Sequence, residues 1–264
     1  MDPMTFETPD GLSVELRIPA GDIHVQATDT TQTVVRITGT RNPDDIVVES
    51  SPRGSQGRLI RIGTRGRKSF GFGSWGRDLR VDLTVPVGTD LDTETGSANL
   101  KVDGEVGSVS VRTGSGDVTF EDAQGSVTVK AASGDVNGGA VTGSLTVHGA
   151  SGDLRALSVG GSLVCRTASG DLQVGHLGGD ATVTAASGDI RIDAARAGTL
   201  SLKTVSGDIA VGVEPGTAVW LDLTSTTGDA VSELDGGSET TDGAALEVHA
   251  TAVSGDIRVH RVAE

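Results

Sequence analysis

Regularly spaced aspartates are the side chains in this sequence most able to do chemistry together. Each ends a Ser-Gly-Asp triplet, and the first five triplets recur with a constant 18-residue period. The six aspartates that define the set are Asp117, Asp135, Asp153, Asp171, Asp189 and Asp208. If successive repeat units stack in register, neighbouring carboxylates lie about 4.8 Å apart and repel by about 1 kcal/mol per pair in water. Some interaction must offset this repulsion.

Two explanations of this aspartate column are open. In the first, which we favour, each carboxylate accepts hydrogen bonds from turn N–H groups, as in an Asx-turn, with the preceding serine helping. In the second, calcium lies between successive turns, as in the Gly-Gly-x-Gly-x-Asp repeats of secreted toxins. Those repeats supply aspartates to both half-turns, whereas the opposite half-turn here offers Gly-Ser without a carboxylate. We therefore predict a structural role for the aspartates, with no metal or other cofactor.

A second candidate is a basic, glycine-rich segment that holds two of the four phenylalanines and one of the two tryptophans. Residues 53–80 contain eight arginine and lysine residues and one aspartate. One explanation is a hairpin loop that folds its aromatic rings over the open end of the fold. The other is a partner-binding or self-association element, because aromatic and arginine side chains dominate interface hot spots. This hypothesis rests on Arg65, Arg67, Lys68, Phe70, Phe72, Trp75 and Arg77.

Catalytic arrangements are not indicated. A hydrolase needs a nucleophile, a base and an orienting group, but the five histidines lie in unlike positions without metal-ligand spacing. Residues 71–76 match Gly-x-Gly-x-x-Gly, yet a strand pattern follows where a nucleotide-binding motif needs a helix. Cys165 falls on an inward strand position and is predicted to be a small buried residue. We predict a protein that is not an enzyme and has no small-molecule substrate.

The elements that position these residues are short repeated strands. Half a period from each Ser-Gly-Asp triplet stands a second turn, such as Gly125-Ser126, followed by alternation such as Val127-Thr128-Val129. Alternation of this kind places apolar side chains on one face of a strand. Two strands and two glycine turns in each repeat unit predict an all-β protein, a β-solenoid in which each coil stacks on the one before it. The apolar positions do not recur every third of a period, so a three-sided hexapeptide helix is rejected.

The domain organisation follows from where the repeat is regular. Residues 1–90 are predicted to form irregular first coils and an N-terminal β cap within the same domain, with strands at 12–18, 34–37, 46–49, 59–62 and 79–85. Residues 91–264 form the solenoid repeat region. The period then loosens, to 19 residues at Asp208, 21 at Asp229 and 27 at Asp256. The only segment considered for a helix is Asp193–Ala197.

Composition and charge limit the partners and the location. The net charge of −15 opposes binding to nucleic acids and anionic lipid surfaces. A single cysteine excludes an intrachain disulfide. The first residues lack a basic and apolar leader, and no stretch approaches the ~20 apolar residues that span a bilayer. We expect a cytoplasmic protein without direct membrane insertion, whose membrane link, if it has one, is supplied by a partner.

Several segments together resemble a known bacterial family. They are Ser-Gly-Asp-Val and its copies at the constant period, Leu79–Pro86 leading into the repeats, and Phe6-Glu7-Thr8-Pro9 followed by Pro19-Ala20-Gly21-Asp22. The chain is similar over its length, most specifically over residues 79–210, to the toastrack family of adhesin-like β-strand repeat proteins, a domain family of unknown function. This resemblance implies a β-solenoid-like fold and, through genomic association, a role beside phage-shock and Lia-type envelope-stress proteins. Many relatives carry a signal peptide or a membrane segment.

These observations lead to one favoured function and two alternatives. We predict a non-enzymatic β-solenoid that serves as a scaffold or protein-interaction module, with a place in the envelope-stress response as the resemblance suggests. The first alternative is a self-assembling structural or adhesin-like protein, in which end coils pair edge to edge. The second is an acidic decoy that imitates nucleic acid and sequesters a basic partner.

Overall fold

The repeat folds as predicted, with one strand before each Ser-Gly-Asp corner and one strand after it. The computed structural model describes residues 2–8, 11–39, 46–53, 57–64, 79–234 and 246–263, and all regular structure in them is β-strand. The all-β, solenoid-like fold class is therefore confirmed. No helix in these ranges has the length and apolar character to span a bilayer. The chain falls into two compact units, Met1–Gly138 and Gly139–Glu264.

Parallel stacking in the first unit begins with one long bent strand. The strands, in chain order, are β1 (Met4–Glu7), β2 (Leu12–Thr28), β3 (Gln32–Thr38), β4 (Ile46–Arg53), β5 (Gly57–Thr64), β6 (Arg80–Pro86), β7 (Asp90–Val106), β8 (Val109–Ser115), β9 (Val118–Ala123), β10 (Val127–Ser133) and β11 (Val136–Val141). β2 bends at Gly21 and forms a complete coil, which pairs in parallel with β7. β7 then pairs with β8 and β9, and β8 pairs with β10.

Antiparallel strands cover the outer edge of this unit. The two halves of β2 pair in parallel with β5 and β6 on the side away from β7. β4 then pairs with β5, β3 with β6 and β1 with β3, all antiparallel. Each of the five strands predicted between residues 12 and 85 overlaps one of these elements. The strand edges of the first coils are thus covered by pieces of the same chain.

In the interior of the first unit, one large aromatic ring lies opposite a glycine. Phe120 on β9 is the only fully buried aromatic residue in the described part of the chain, with 2 % of its surface exposed. Gly138, one period later on β11, faces it, and a Cβ atom there would overlap the Phe120 ring. Protein interiors are packed without large voids. The Phe120 ring therefore occupies the space that a side chain at position 138 would otherwise fill.

The second unit consists of six coils. Its strands are β12 (Leu145–Ser151), β13 (Leu154–Val159), β14 (Leu163–Ser169), β15 (Leu172–Leu177), β16 (Ala181–Ser187), β17 (Ile190–Ala195), β18 (Gly198–Ser206), β19 (Ile209–Val213), β20 (Val219–Thr227), β21 (Ala230–Glu233), β22 (Leu246–Ser254) and β23 (Ile257–Arg261). Each strand pairs in parallel with the equivalent strand of a neighbouring coil, as Leu145 with Leu163 and Leu163 with Ala181. Apolar residues fill the interior because the inward positions repeat in register.

The last two coils are not stacked in sequence order, which corrects the prediction that each coil lies on the one before it. β18 and β19 pair with β22 and β23, and only then do β22 and β23 pair with β20 and β21. The coil 246–261 therefore lies between the coil 198–213 and the coil 219–233. This arrangement is the physical reason for the long spacings that precede Asp229 and Asp256.

The helix considered at Asp193–Ala197 is also wrong. Ile190–Ala195 is strand β17, and its ladder with β19 shifts register between Ile192 and Ala195. Ala194 and Ala195 are both buried. The pair of alanines suggested a helix because the register shift interrupts the alternation of inward and outward residues that marks the other strands.

Candidate interaction surface

The aspartates form a hydrogen-bonded corner in each unit. In the first unit the Asn99 side chain donates to Asp22 at 3.3 Å, and the Asp117 N–H donates to Asn99 Oδ1 at 3.1 Å. The Asp135 N–H in turn donates to Asp117 Oδ1 at 3.0 Å. Asn99, which lies one period before Asp117, thus takes the same place as an aspartate, because an amide oxygen accepts the same bond.

The second unit repeats this bond from coil to coil. The N–H groups of Asp171, Asp189 and Asp208 donate to the Oδ1 atoms of Asp153, Asp171 and Asp189, at 2.9, 2.9 and 2.8 Å. The column continues in spatial order: the Asp256 N–H donates to Asp208 at 2.8 Å, and the Asp229 N–H donates to Asp256 at 2.9 Å. The donor belongs to the neighbouring coil and not to the aspartate's own turn, unlike the local cap expected from the sequence.

A backbone donor also favours the charged form of one aspartate in the column, Asp153. The N–H of Asp171 is the main reason why the pKa of Asp153 lies below its ordinary value, with a smaller contribution from Arg155, whose Nη2 lies 2.9 Å from the carboxylate. Hydrogen bonds to the ionised form lower a carboxyl pKa. Among the residues that the structure describes, no group of three or more His, Cys, Asp or Glu is placed to hold a metal ion. The hydrogen bonds of the carboxylates join coils.

The corner glycine is required by how closely the coils approach. Gly170 has φ 126°, and a Cβ atom there would overlap the carbonyl oxygen of Gly152 in the neighbouring coil. Only glycine fits such an approach with positive φ. The Ser-Gly-Asp triplet is thus explained by geometry: glycine brings the coils together, and aspartate supplies the acceptor between them.

The opposite corner uses a mixed set of acceptors, which corrects the expectation that it lacks a carboxylate. Asp90 accepts from the Ser108 N–H at 2.8 Å, Ser144 from the Ser162 N–H at 3.2 Å, and Asp180 from the Thr199 N–H at 2.8 Å. Serine and aspartate substitute for one another here because one side-chain oxygen within reach of the next coil is sufficient. The Gly-Ser turns therefore perform the same coil-joining role.

Three described features could suggest catalysis: a cysteine, a histidine and a polar groove. Each has a structural partner or a structural setting. Cys165 is buried as predicted, and desolvation raises the pKa of its thiol to about 12, so it carries no thiolate at neutral pH. His24 lies between two carboxylates, with Nε2 2.7 Å from Asp103 and Nδ1 3.6 Å from Asp82. A groove of about 370 Å³ on the first unit has a polar lining that includes Ser13 and Arg53, and the Arg53 guanidinium donates to Ser13.

The basic segment proposed for partner binding lies outside the described residues. All seven of its named residues, Arg65, Arg67, Lys68, Phe70, Phe72, Trp75 and Arg77, fall in the interval between β5 and β6. In the chain this interval separates β5 from β6, which pair with the two halves of β2 on either side of the corner at Gly21.

The coil 219–233 presents a surface that sequence reasoning missed. Val219, Leu221 and Leu223 point inward on β20 but are only half-buried, whereas the equivalent residues of β22 are fully buried. Trp220 and Val231 point outward, with 55 % and 42 % of their surfaces exposed. We call this coil, β20 with β21, the open coil. No described strand pairs with the open coil on the side away from β22 and β23. Its inward apolar side chains are therefore covered by a neighbouring coil on one side only.

The edge of the open coil carries backbone groups without a strand partner among the described strands. The Leu246 N–H donates to the Ala218 carbonyl at 2.9 Å. Ala218 and then alternate residues of β20, beginning with Trp220, therefore direct their polar backbone groups toward β22. Val219, Leu221 and Leu223 must direct theirs away from it. A regular edge strand without proline, lysine or a bulge is the kind that accepts another strand.

The charge of this region is one-sided. Residues 214–234 contain four acidic side chains and no lysine, arginine or histidine. Asp222 on β20 faces His249 on β22, with Oδ2 3.5 Å from Nδ1, and the Trp220 ring lies 5.0 Å from the His249 ring. The link before the open coil is held by Arg261, which donates to the carbonyls of Glu214 and Thr217 at 3.0 and 2.9 Å.

One signal in the sequence pointed to this surface. Thr227-Gly228-Asp229-Ala230 departs from the Ser-Gly-Asp-Ile pattern more than the copy at Ser254 does, although it comes earlier in the chain. A coil that packs against a neighbour on one side only has less need for large inward residues, and the alanine at position 230 fits this difference.

Parallel strands, two per coil, with an acceptor column at each corner define a β-solenoid built from short coils. The family model named Toastrack DUF4097 matches residues 12–260. The chain belongs to the toastrack family, and the resemblance drawn from its repeats is confirmed. No curated protein matches the chain.

Three solved structures illustrate the likeness. A "putative cell adhesion protein" from Clostridium sporogenes is 12 % identical, with 99 % of each chain covered and a TM-score of 0.38. A "putative adhesin" from Bacteroides fragilis is 12 % identical, with 98 % of this chain and 96 % of that chain covered and a TM-score of 0.46. A "putative lipid binding protein" from Parabacteroides distasonis is 16 % identical, with 99 % and 96 % covered and a TM-score of 0.49.

Proposed function

We propose that this protein is a non-enzymatic scaffold that binds another protein through its open coil. The observation that carries the proposal is the partial burial of that coil. Half-buried Val219, Leu221 and Leu223 and exposed Trp220 lie together on a strand edge that no described strand pairs with. Isolated exposed apolar residues are ordinary, but an apolar patch beside a free strand edge is typical of interaction sites.

The outward charges of the second unit favour this function over the acidic decoy. A decoy needs carboxylates free to meet a basic partner along one face. Here Arg155 lies 2.9 Å from Asp153, and Arg191 pairs with Asp193. The Oδ1 atoms of the corner aspartates accept backbone N–H groups as well. Much of the negative charge therefore serves the fold.

Comparative affinity capture tests the proposed function. The wild-type chain and a Trp220→Glu, Val231→Glu variant serve as baits in an extract of the source bacterium, with quantitative mass spectrometry as the readout. The matched control is Leu157→Glu, which puts a charge on an exposed apolar residue elsewhere in the second unit. We expect at least one protein that is retained by the wild type and the control but lost from the open-coil variant. Identical captures by all three baits would refute the proposal.

The basic segment is a second proposed surface for the same function. It concentrates arginine and aromatic side chains that dominate interface hot spots, and it links β5 to β6 in the chain. A Phe72→Ala, Trp75→Ala double variant tests it separately from the open coil. Loss of a captured protein by this variant supports the surface, and retention of every protein bound by the wild type removes it.

Self-assembly is kept as an alternative because the same free edge could accept a second copy. Light scattering after size-exclusion chromatography separates the alternatives: growth in mass with protein concentration supports assembly, whereas a monomer at all concentrations refutes it.

Two further parts of the proposal rest on family membership and on the sequence. We include a role in the envelope-stress response, tested by deleting the gene and measuring survival during cell-wall damage; survival equal to that of the parent strain contradicts the role. We also include a cytoplasmic location, which cell fractionation with antibody detection tests directly.

A further inference from the structure

We propose that the open coil binds an extended segment of its partner in which apolar and basic side chains alternate, and that this segment adds as a further strand along β20. This inference rests on the proposed function and specifies the chemistry of the partner. Three features of the open coil support it: the hydrogen-bonding direction of β20, the side chains on the two faces of β20 and the strand that already pairs with β21.

The outward backbone groups of β20 give an added strand a place to pair. Because Leu246 bonds to Ala218, alternation turns the N–H and C=O groups of Val219, Leu221 and Leu223 toward the outside of the stack. An added strand satisfies these groups in the same way that β20 satisfies those of β22. This mode of binding uses main-chain hydrogen bonds for affinity and alternate side-chain positions for specificity.

The corner of the open coil offers one additional acceptor. Along the aspartate column, each Oδ1 accepts the N–H of the next coil in space, as Asp208 does from Asp256 and Asp256 does from Asp229. Asp229 is the last aspartate of this column in space, and no described coil follows it. Its carboxylate is therefore placed to accept an N–H from the end of an added strand.

The two faces of β20 specify which side chains the added strand carries. One set of its residues would lie over Val219, Leu221 and Leu223, whose half-buried side chains favour apolar partners because burial removes apolar surface from water. The other set would lie beside Trp220 and Asp222. Arginine suits both of these, since it stacks on an indole face and pairs with a carboxylate.

The protein itself contains a strand of this chemistry on the inner side of the open coil. β23 has the sequence Ile257-Arg258-Val259-His260-Arg261 and pairs in parallel with β21, from Ala230 opposite Ile257. Its first apolar residues, Ile257 and Val259, point inward, and the Arg258 Nε atom lies 3.5 Å from Glu233 on β21. Strand β21 thus already accepts an apolar–basic strand on one side, which supports the same preference on the other.

Charge argues for a basic partner and against a second copy on this edge. Residues 214–234 carry only acidic charges, so two open coils placed edge to edge would bring two acidic surfaces together. Like charges directly opposite each other destabilise a strand pair. A basic segment instead gains opposite-charge pairs across the new edge.

A labelled peptide in which valine and arginine alternate is the probe. Fluorescence anisotropy measures its binding to the full chain, beside a peptide of the same composition with all valines first and a peptide with glutamate in place of each arginine. We expect binding of the alternating peptide and at least about tenfold weaker binding of both controls, because only alternation matches the two faces of a strand. No binding of the alternating peptide overturns the inference.

Paired variants separate strand addition from general attraction to an acidic protein. Leu221→Pro removes one outward N–H without breaking a bond to β22, and Leu221→Ala removes the same side chain but keeps the N–H. We expect the proline variant to bind about tenfold more weakly than the alanine variant at equal charge. Equal affinities, with both proteins folded by circular dichroism, overturn strand addition.

A second pair covers a failure of Leu221→Pro to fold and separates the two proposals. Leu223→Pro and Leu223→Ala make the same comparison two residues further along β20, where Leu223 also directs its N–H away from β22. If the open-coil variant loses captured proteins but the peptide shows no proline effect, the proposed function stands and the partner chemistry is wrong. If a dimer forms and Leu221→Pro abolishes it, a second copy occupies the edge and the inference is overturned.

Discussion

The backbone N–H of Asp229 donates to Asp256 Oδ1 at 2.9 Å, although Asp256 comes 27 residues later in the chain. The same Asp256 donates its own N–H to Asp208, which lies 48 residues earlier. The coil 246–261 is thus held on both sides by coils that precede it in the sequence. It supplies the strand neighbours on which the open coil rests.

Truncation after Glu233 tests the dependence of the open coil on the coil 246–261. We expect residues 219–233 to lose amide hydrogen-exchange protection, because β20 and β21 pair with no described strands other than β22 and β23. Strands β12–β15 should keep theirs. A control lacking only residues 263–264 should match the full chain. Protection of 219–233 in the truncated protein would contradict the dependence.

Substitution of one corner aspartate measures the worth of the bond between coils. Asp189→Ala removes the acceptor of the Asp208 N–H, and we expect a loss of about 1 kcal/mol in the free energy of unfolding, measured with urea. Asp189→Asn keeps an oxygen at the same place, as Asn99 does for Asp117, and should lose much less. An equal loss in both variants would assign the effect to charge instead of the hydrogen bond.

Acid should weaken the protein partly through Asp153. Its pKa is lowered in the folded state, chiefly by the Asp171 N–H, so its contribution is present above the unfolded pKa of about 3.9 and is lost as pH falls through the folded value. We expect the urea midpoint to decline below about pH 4. Asp153→Asn should reduce the slope of that decline. The same slope in the variant would show that other carboxyl groups carry the effect.

Filling the space opposite Phe120 should destabilise the first unit. Gly138→Ala places a Cβ atom where the Phe120 ring lies, and overpacking of this kind costs about 1–3 kcal/mol. Thermal unfolding measures the loss. Combining it with Phe120→Leu should recover part of the stability, since the shorter side chain vacates the space. Additive losses in the double variant would mean that the two residues do not share it.

Calcium should leave the stability of the protein unchanged. The Oδ1 atoms of Asp171, Asp189 and Asp208 each accept a backbone N–H from a neighbouring coil, whereas calcium needs six or more oxygen ligands directed at one point. Calorimetric titration and melting curves with calcium, and with magnesium as the comparison, give the measurement. A rise in melting temperature with calcium alone would establish a metal site and overturn this expectation.

The regular coils could be predicted from the sequence because their period is fixed. Repetition at a constant interval and alternation such as Val127-Thr128-Val129 specify both the strands and their inward faces, and Cys165 followed the same rule to a buried place. The order of stacking could not be predicted. Any Ser-Gly-Asp corner can bond to any other, so the repeat alone does not say whether Asp208 meets Asp229 or Asp256.

The candidate surface escaped prediction for a related reason. Trp220 and Leu221 continue the alternation of an ordinary coil, and their exposure depends on which coil lies outermost. The basic segment, in contrast, was evident from composition, and its named residues stay a prediction.

The constant register of the coils has a consequence for how such a protein changes its length. Leu145, Leu163 and Ala181 occupy equivalent positions at equal spacing, so duplication or loss of one whole coil among these would leave every remaining corner matched to a neighbour. The coil 246–261 already pairs with a coil on each side. A duplicate of it would therefore have to be inserted between coils that are in contact. Duplication or loss of whole coils within the regular stack is therefore the way in which this architecture can become longer or shorter during evolution.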